Sequence, residues 1–195
     1  MQPQTAEDLA DLAIDLGLVT SDQVQRAWSD AGGTSVPIEK FGATLLRREL
    51  ITRYQLDRLL RGDRVGYYFG DAKILYQVGA GAFARVYRAV MRGSSETVAV
   101  KVLRNRFSQD AEKCKEFRRE GEMGRLLRHP NIVAIDDVGE ANNTSYITME
   151  FVEGQTLRDL LKKRGALDIT RTIDLMKQLC AGLEYAHKRG VTHRD

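Results

Sequence analysis

The sequence predicts an α+β fold: a five-stranded antiparallel sheet with one inserted helix, followed by two more helices and preceded by a small all-α segment. Up to about residue 64, apolar residues recur at helical spacing. From about residue 67, short runs rich in valine and tyrosine alternate with glycine-containing turns, which is typical of antiparallel strands. A charged stretch with helical spacing, 111–127, follows the third of these runs.

The first 64 residues contain a repeat that marks helix starts. Thr20 and Thr52 lie 32 positions apart, and each is followed three residues later by a glutamine, Gln23 or Gln55. In such a capping box the threonine hydroxyl accepts from a backbone N–H of the first turn, and the glutamine accepts from the threonine N–H. Two helices should begin at these threonines, and each is preceded by another helical pattern. We interpret 1–64 as two pseudo-repeated helical hairpins joined by a loop at 31–37.

The later elements follow from turn and breaker residues. Glycine-containing turns at 79–81 and 92–95 delimit strands at 74–78, 84–90 and 97–103. Pro130 ends the helix 111–127, because a proline disfavours helical geometry in the residue before it. Two further strands are predicted at 132–138 and 145–151, with a hairpin turn at 140–143, and two helices at 156–163 and 169–189.

Composition excludes several classes of protein. The net charge of +3, with acids and bases mixed along 195 residues, marks no nucleic-acid or membrane footprint. No stretch approaches the ~18 apolar residues of a membrane span, and no leader pattern occurs, so we expect no membrane segment and a cytoplasmic location. Cys114 and Cys180 form no metal-binding or disulfide pattern. Cys180 falls on an apolar helical stripe, which predicts a small core residue.

A glycine-rich loop, Gly79-x-Gly81-x-Phe83-Ala84-x-Val86, separates the first two strands. Taken alone the loop is weak evidence, because the same pattern suits a dinucleotide-binding turn, and a plain hairpin turn without a ligand explains it about as well as a phosphate-binding one. A dinucleotide fold needs a helix directly after the glycines, whereas a strand follows here, so the hairpin interpretation is favoured. In that hairpin the glycines let backbone N–H groups approach phosphates, and Val86 can cover a nucleotide base.

Lys101 lies within the apolar strand Val98-Ala99-Val100-Lys101, where a buried ammonium is costly without an anionic partner. Glu120, nine residues before His129 on the predicted charged helix, is the best candidate partner. A lysine held by a carboxylate can present its charge to the phosphates of a nucleotide. Taken alone, Lys101 is more typical of a surface lysine whose ammonium reaches solvent.

The ordered set of motifs resembles protein kinases, and in particular the bacterial eukaryotic-like serine/threonine kinases. GAGAFARV, VAVK, FRRE, HPNIV, a Met-Glu-x-Val-x-Gly segment and a terminal HRD occur in the order and at close to the spacing of that family. The resemblance covers residues 70–195, roughly half of a kinase domain. It implies the kinase amino-terminal lobe at about 70–152, a hinge at 150–154, the first helices of the carboxyl-terminal lobe at 156–190 and the start of the catalytic loop at 193–195. A partial kinase domain would thus occupy 65–195.

The resemblance also implies roles for individual residues. Lys101 would contact the ATP phosphates with Glu120 as its ion-pair partner, and Asp195 would be the catalytic base that orients a hydroxyl of the protein substrate. His193 would belong to an internal hydrophobic spine. Met149 would be the gatekeeper beside the adenine. The other implied ATP-binding positions are Val78, Gly79, Ala80, Gly81, Phe83, Val86, Ala99, Glu150 and Val152.

Two departures from the family pattern affect these expectations. Ala84 replaces the third loop glycine, which adds one methyl group and should tune the loop without abolishing its role. The asparagine and the DFG aspartate that hold Mg²⁺ in the family are expected beyond residue 195, so no metal ligand is assigned here. We therefore expect these 195 residues to bind nucleotide weakly and to be inactive alone. The alternative is a pseudokinase or another non-catalytic nucleotide-binding or scaffolding module.

The helical segment 1–64 suggests either a DNA-binding helix-turn-helix or a protein-docking module. Its first helices carry acidic residues, which are poorly suited to phosphate contact, so docking to a protein partner is favoured over nucleic acid. A basic set is better explained as a solvated face. It comprises Arg47, Arg48, Arg53, Arg58 and Arg61. The apolar face of the helix 169–189 should either stay exposed or be covered by the amino-terminal hairpins.

Overall fold

The computed structural model describes residues 2–192, and its amino-terminal part consists of four short helices. Three of them begin with a threonine N-cap and a complete capping box, so the helix starts predicted at Thr20 and Thr52 are confirmed; Thr5 caps the first helix in the same way with Asp8. Trp28 and Phe41 stack with ring centroids 3.8 Å apart and join the two hairpins in one apolar core. The helices are α1 (Ala6–Asp15), α2 (Ser21–Ala31), α3 (Ile38–Arg47) and α4 (Arg53–Leu60).

The described sheet has six strands in the order β1-β2-β3-β4-β6-β5, with every neighbouring pair antiparallel. The expectation of five strands was wrong by one, because the two-residue strand β1 is too short to leave a periodic pattern in the sequence. A short 3₁₀ turn (Asn105–Phe107) and helix α5 (Ala111–Arg125) follow β4. The strands are β1 (Tyr68–Phe69), β2 (Ala72–Ala80), β3 (Ala84–Met91), β4 (Thr97–Leu103), β5 (Ile135–Ala141) and β6 (Thr144–Glu150).

Strand β5 begins three residues later than predicted. The apolar run that starts at Ile132 is preceded by a turn, in which the Ile132 N–H donates to the His129 carbonyl and the Asn131 N–H donates to His129 Nδ1. The β5–β6 hairpin is also tighter than expected, since Ala141 pairs directly with Thr144. Asn142 and Asn143 form its two-residue turn, both with left-handed φ, as this type of hairpin requires.

The sheet has two differently covered faces. On β4, Val98, Val100 and Val102 point to one face, which we call the outer face, where they pack with Tyr87 and Tyr146. The alternate residues of β4 point to the inner face, where α5 packs. There Leu103 and Ile147 form a second cluster with Phe117 of α5. Helix α5 therefore lies on the face that also carries Lys101.

The helical segment is attached to the edge of the sheet through the second capping box. Besides capping α4, the Thr52 hydroxyl donates to the Leu75 carbonyl at 2.5 Å, and Gln55 Nε2 donates to the Ile74 carbonyl at 2.6 Å. A register shift between Ile74 and Tyr76 interrupts the β2–β3 ladder at this point. Gln55 is 1% exposed, so these bonds are made in a buried environment.

Further polar contacts join the first hairpin to the same edge. The Tyr68 hydroxyl donates to the Gly17 carbonyl at 2.7 Å, and Lys73 Nζ donates to the Leu18 carbonyl at 2.8 Å. Burial, and secondarily the nearby Arg92, lowers the pKa of Lys73 from its ordinary value. Tyr54 of α4 packs against Tyr87 on the outer face, and burial raises its pKa to about 12. The helical segment and the sheet are thus joined by both apolar and polar contacts.

Helices α6 (Leu157–Arg164) and α7 (Ile169–His187) complete the described part of the chain. The suggestion that the amino-terminal hairpins cover α7 was wrong, because those helices pack against the sheet instead. Ile173, Met176 and Leu179 of α7 are 47%, 50% and 54% exposed. Cys180, predicted to be a core residue, is exposed as well, since its stripe has no covering layer among residues 2–192. No helix within 2–192 is both long and apolar enough to cross a membrane.

Candidate functional site

Strand register brings the glycine loop, Val86 and Lys101 together. Gly79 of β2 pairs with Val86 of β3, and Val86 pairs in turn with Lys101 of β4. In an antiparallel sheet, directly paired residues point to the same face. The three residues therefore form one row across three strands on the inner face, although they are up to 22 positions apart in the sequence.

Lys101 and Glu120 are brought into contact at the end of this row. Lys101 Nζ lies 2.6 Å from Glu120 Oε1, and it also lies 5.6 Å from the centre of the Phe117 ring. The Lys101 side chain is 28% exposed and that of Glu120 is 62% exposed. A pair this open to solvent contributes at most about 1 kcal/mol to folding. Its significance is positional, because it holds an ammonium group at a defined place beneath the glycine loop.

The tip of the glycine loop is attached to the segment before α5. The Gly81 N–H donates to the Ala84 carbonyl at 2.8 Å and closes the turn. Arg106 Nη2 donates to the Ala82 carbonyl at 2.8 Å, and the Phe83 and Phe107 rings lie 5.3 Å apart. Sequence analysis did not identify Arg106 or Phe107. An exposed arginine and a phenylalanine in a connection leave no pattern that would have revealed this role.

The opposite wall of the site is formed by β4 and β6. Ala99, which is buried, pairs with Met149, and Val98 pairs with Glu150. The Glu150 N–H donates to the Ala134 carbonyl at 2.9 Å, which secures the end of β6. Val152 lies two residues after the end of β6 and is 62% exposed. Ala99 and Met149 therefore lie side by side on β4 and β6, and Ala99 is two residues before Lys101 on the same strand.

The bend after β6 is fixed by another residue that sequence analysis did not identify. Arg88 of β3 contacts Glu153 at 3.0 Å, donates to the Tyr76 hydroxyl at 2.9 Å and lies 5.0 Å from the Phe151 ring centre. These contacts join β2, β3 and the segment after β6. The hydrogen bond to Tyr76, and to a smaller extent the charge of Glu153, raises the pKa of Arg88.

The glycine loop leaves space on its open side. A Cβ atom built on Gly79 would meet no atom within 4 Å, and one on Gly81 would meet only the Ala84 carbonyl oxygen at 3.7 Å. Packing within the chain therefore does not require glycine at position 79. Both Val78 and Phe83 are exposed, as is Ala80. A loop with free space beside exposed backbone, above a lysine ammonium, fits the phosphate groups of a nucleotide.

Two candidate residues lie outside the described range. His193 and Asp195 belong to the last three residues of the sequence, whose structure is not described. Within 2–192, no group of three or more histidine, cysteine, aspartate or glutamate side chains is arranged to hold a metal ion.

An antiparallel sheet, a glycine-rich β2–β3 hairpin, and a strand lysine paired with a glutamate on an inserted helix together define the amino-terminal lobe of a protein kinase. Residues 72–195 match the protein kinase domain family, and the chain belongs to that family.

Within the family, the chain is similar to bacterial serine/threonine-protein kinases. It is 41% identical over 123 residues to a probable serine/threonine-protein kinase of Clostridium acetobutylicum. The aligned residues cover 63% of this chain and 19% of that protein. It is 37% identical over 137 residues to PrkC of Bacillus subtilis, covering 70% of this chain and 21% of that protein. The chain thus spans about a fifth of the length of these curated relatives.

Solved kinase structures have the same fold. The PknI kinase domain of Mycobacterium tuberculosis superposes with a TM-score of 0.56 at 29% identity, covering 66% of this chain and 52% of that domain. The Rad53 protein, solved in complex with AMP-PNP, superposes with a TM-score of 0.58 at 32% identity over 72% of this chain and 36% of that one. The chain corresponds to about half of the PknI kinase domain.

Proposed function

We propose that this chain supplies the nucleotide-binding lobe of an ATP-dependent serine/threonine kinase, which transfers the γ-phosphate of ATP to hydroxyl groups of protein substrates. The observation that carries the proposal is the 2.6 Å contact between Lys101 and Glu120 beneath the glycine loop. In kinases this pair must be in place for the lysine to hold the nucleotide phosphates. The complex of Rad53 with AMP-PNP, an ATP analogue, supports ATP as the ligand.

Individual roles are proposed from the family resemblance, and for the described residues their positions support these roles. The glycine loop at 79–81 covers the phosphates, Val86 and Ala99 contact the adenine, and Met149 closes the pocket behind it. The backbone of Glu150 and Val152 supplies hydrogen bonds to the adenine edge. Asp195 is proposed as the catalytic base and His193 as a residue of the internal spine.

A nucleotide titration tests the proposal directly. In the 195-residue chain, Lys101→Met should weaken the binding of Mg²⁺-free ATP by roughly tenfold, because one charge-assisted contact is lost. Lys188→Met is a matched control, since Lys188 forms a 2.6 Å ion pair with Glu184 on α7, outside the site. Equal binding by Lys101→Met and the unmodified chain would overturn the assignment of the site.

Phosphate transfer needs groups that this lobe does not provide. A polypeptide of residues 1–195 is expected to bind ATP weakly and to show no measurable transfer, because the family's Mg²⁺ ligands, an asparagine and a DFG aspartate, are not among these residues. In a polypeptide that also carries those ligands, Lys101→Met should abolish autophosphorylation. Transfer that persists in that variant would contradict the kinase mechanism. Nucleotide binding without transfer in the longer polypeptide with Lys101 intact would favour the pseudokinase alternative.

The helical segment 1–64 is proposed to dock a protein partner and not DNA. Of the basic set considered in the sequence, Arg48 contacts Asp30 at 2.6 Å and Arg53 contacts Asp57 at 2.9 Å. Arg58 and Arg61 both contact the single carboxylate of Asp63. Arginines that are already paired have less charge to offer to a phosphate backbone.

A mobility-shift assay of the whole chain with duplex DNA separates these two functions. No retardation is expected at physiological salt. Retardation that weakens steeply as salt rises would show phosphate contacts and would replace docking with nucleic-acid binding.

A further inference from the structure

A cavity of about 130 Å³ lies where the helical segment meets the outer face of the sheet, on the side opposite the nucleotide site. Three arginines contribute to its wall: Arg58 from α4, Arg85 from β3 and Arg104 from the segment after β4. Among the described residues that line it, none is an aspartate or glutamate. The net charge of the whole chain is only +3, so three arginines at one junction are a local concentration of positive charge. Such a cluster attracts an anion.

Arg58 is held in a defined orientation at this cavity. Its Nη2 donates to the Val65 carbonyl at 2.6 Å, and its guanidinium carbon lies 5.7 and 5.4 Å from the ring centres of Tyr54 and Tyr67. Gly66, with a left-handed φ of 81°, permits the close approach, because a Cβ there would lie 2.9 Å from Arg58 Nη2. Pre-orienting an arginine in this way lowers the entropy cost of binding a ligand.

The charges at the cavity are only partly compensated. Asp63, outside the cavity lining, contacts Arg58 Nη2 at 3.3 Å and also contacts Arg61. Within 2–192, Arg85 and Arg104 form no ion pair. The Nε–H groups of Arg58 and Arg104 are buried without a hydrogen-bond acceptor in the same range. A buried donor without an acceptor is unfavourable, and an anion that accepted from either Nε–H would remove that cost.

We propose that this cavity binds the dianionic phosphate group of inorganic phosphate or of a small phosphate monoester. Arginine offers a planar fork of donors that matches phosphate oxygens, and Asn105 and Thr144 add neutral polar groups to the lining. The volume is far above the ~10–15 Å³ that one water requires and below the ~300 Å³ of the smallest ordinary cofactor pockets. It therefore suits a phosphate group and not a whole nucleotide.

The proposed anion also connects two parts of the fold. Arg58 belongs to the helical segment, whereas Arg85 and Arg104 belong to the sheet. An anion that contacts both sides binds the docked arrangement more tightly than a separated one, so phosphate should stabilise the docked helical segment by mass action.

Calorimetric titration of the whole chain with inorganic phosphate tests the site. Saturable binding is expected, and Arg85→Gln and Arg104→Gln should each weaken it by about tenfold, as expected for the loss of a charge-assisted contact. Arg171→Gln, a matched substitution of an exposed arginine on α7, should leave it unchanged. Lys101→Met should also leave it unchanged, which separates this site from the nucleotide site. Loss of binding in Lys101→Met, or unchanged binding in Arg104→Gln, would overturn the proposal.

A measurement on the unmodified chain protects the test against variants that fail to fold. The Nε–H resonances of Arg58 and Arg104 in ¹H–¹⁵N spectra should shift on addition of phosphate and saturate with the calorimetric affinity. The absence of any shift would contradict the site regardless of the variants. Parallel titrations with glycerol phosphate identify the source: tighter binding than inorganic phosphate supports a monoester ligand, and weaker binding supports the free ion.

Discussion

Glu120 contacts Lys101 at a point where α5 presents a glycine, Gly121, to the sheet. The two side chains are 2.6 Å apart, and the residue after Glu120 is Gly121, which faces the strands. A Cβ on Gly121 would lie 2.6 Å from Val138 Cγ2 and 3.0 Å from Ile147 Cδ1. The separation between α5 and the sheet, and with it the ion pair, is therefore set by a glycine.

Gly121→Ala should push α5 away from the sheet. Overpacking of this kind costs about 1–3 kcal/mol, and the better helix propensity of alanine offsets about 0.5–1 kcal/mol of it. We expect a lower free energy of unfolding in urea and weaker nucleotide binding, because Glu120 moves with the helix. Glu122→Ala, at an exposed position of the same helix, is the control and should be nearly neutral. A Gly121→Ala chain that is more stable than the unmodified one and binds nucleotide equally would refute this explanation.

The two Thr-x-x-Gln capping boxes should differ in their contribution to stability. Thr20→Val removes a helix cap and should cost about 1 kcal/mol. Thr52→Val removes the same cap and also the hydrogen bond to the Leu75 carbonyl, so it should cost about 1 kcal/mol more. Urea unfolding of the two variants measures the difference directly. Equal losses would mean that the contact between α4 and β2 contributes nothing to stability.

This pair of capping boxes also shows what the sequence could and could not predict. The hydrogen bonds within each capping box join residues only three positions apart, so the helix starts at Thr20 and Thr52 could be predicted from the sequence. The bonds from Thr52 and Gln55 to β2 depend on where α4 docks, and the two boxes are indistinguishable in that respect. The docking of the helical segment on the sheet was consequently not predicted, and α7 was wrongly considered as its site.

The candidate site was predicted to a greater extent than its surroundings. The strand containing Lys101 and the helix containing Glu120 each follow from local patterns, and the contact between them was anticipated from the order of motifs. The anchoring of the glycine loop by Arg106 was not predicted, because it joins two connections that have no periodic pattern. Cys180 was misplaced for a different reason: an apolar stripe indicates which face could be buried, but not whether anything covers it.

The ion pair between α2 and α3 should give the helical segment a specific acid sensitivity. A hydrogen bond from Arg48 lowers the pKa of the Asp30 carboxyl from its ordinary value. A lowered carboxyl pKa stabilises the fold above the unfolded-state pKa of ~3.9, and this stabilisation is lost as the pH falls through the lower folded-state value. Asp30→Asn should therefore lower the melting temperature at pH 7 but have little effect near pH 2, as measured by circular dichroism. Arg48→Gln should reproduce this pH dependence, and a loss of stability in either variant that is the same at both pH values would contradict it.

The exposed face of α7 should make the 195-residue polypeptide self-associate as its concentration rises. Ile173, Met176 and Leu179 recur at helical spacing and are each about half exposed, so they form a continuous apolar strip. Burying such a strip against a second copy removes apolar surface from water and is favourable. In sedimentation velocity, the fraction of the chain in dimers or larger oligomers should increase with its concentration. Met176→Lys combined with Leu179→Lys should return the chain to the monomer. Lys177→Met is the control: Lys177 is exposed and lies outside the strip, so this substitution should not abolish self-association. A monomeric unmodified chain at every concentration would show that this face is not an association surface.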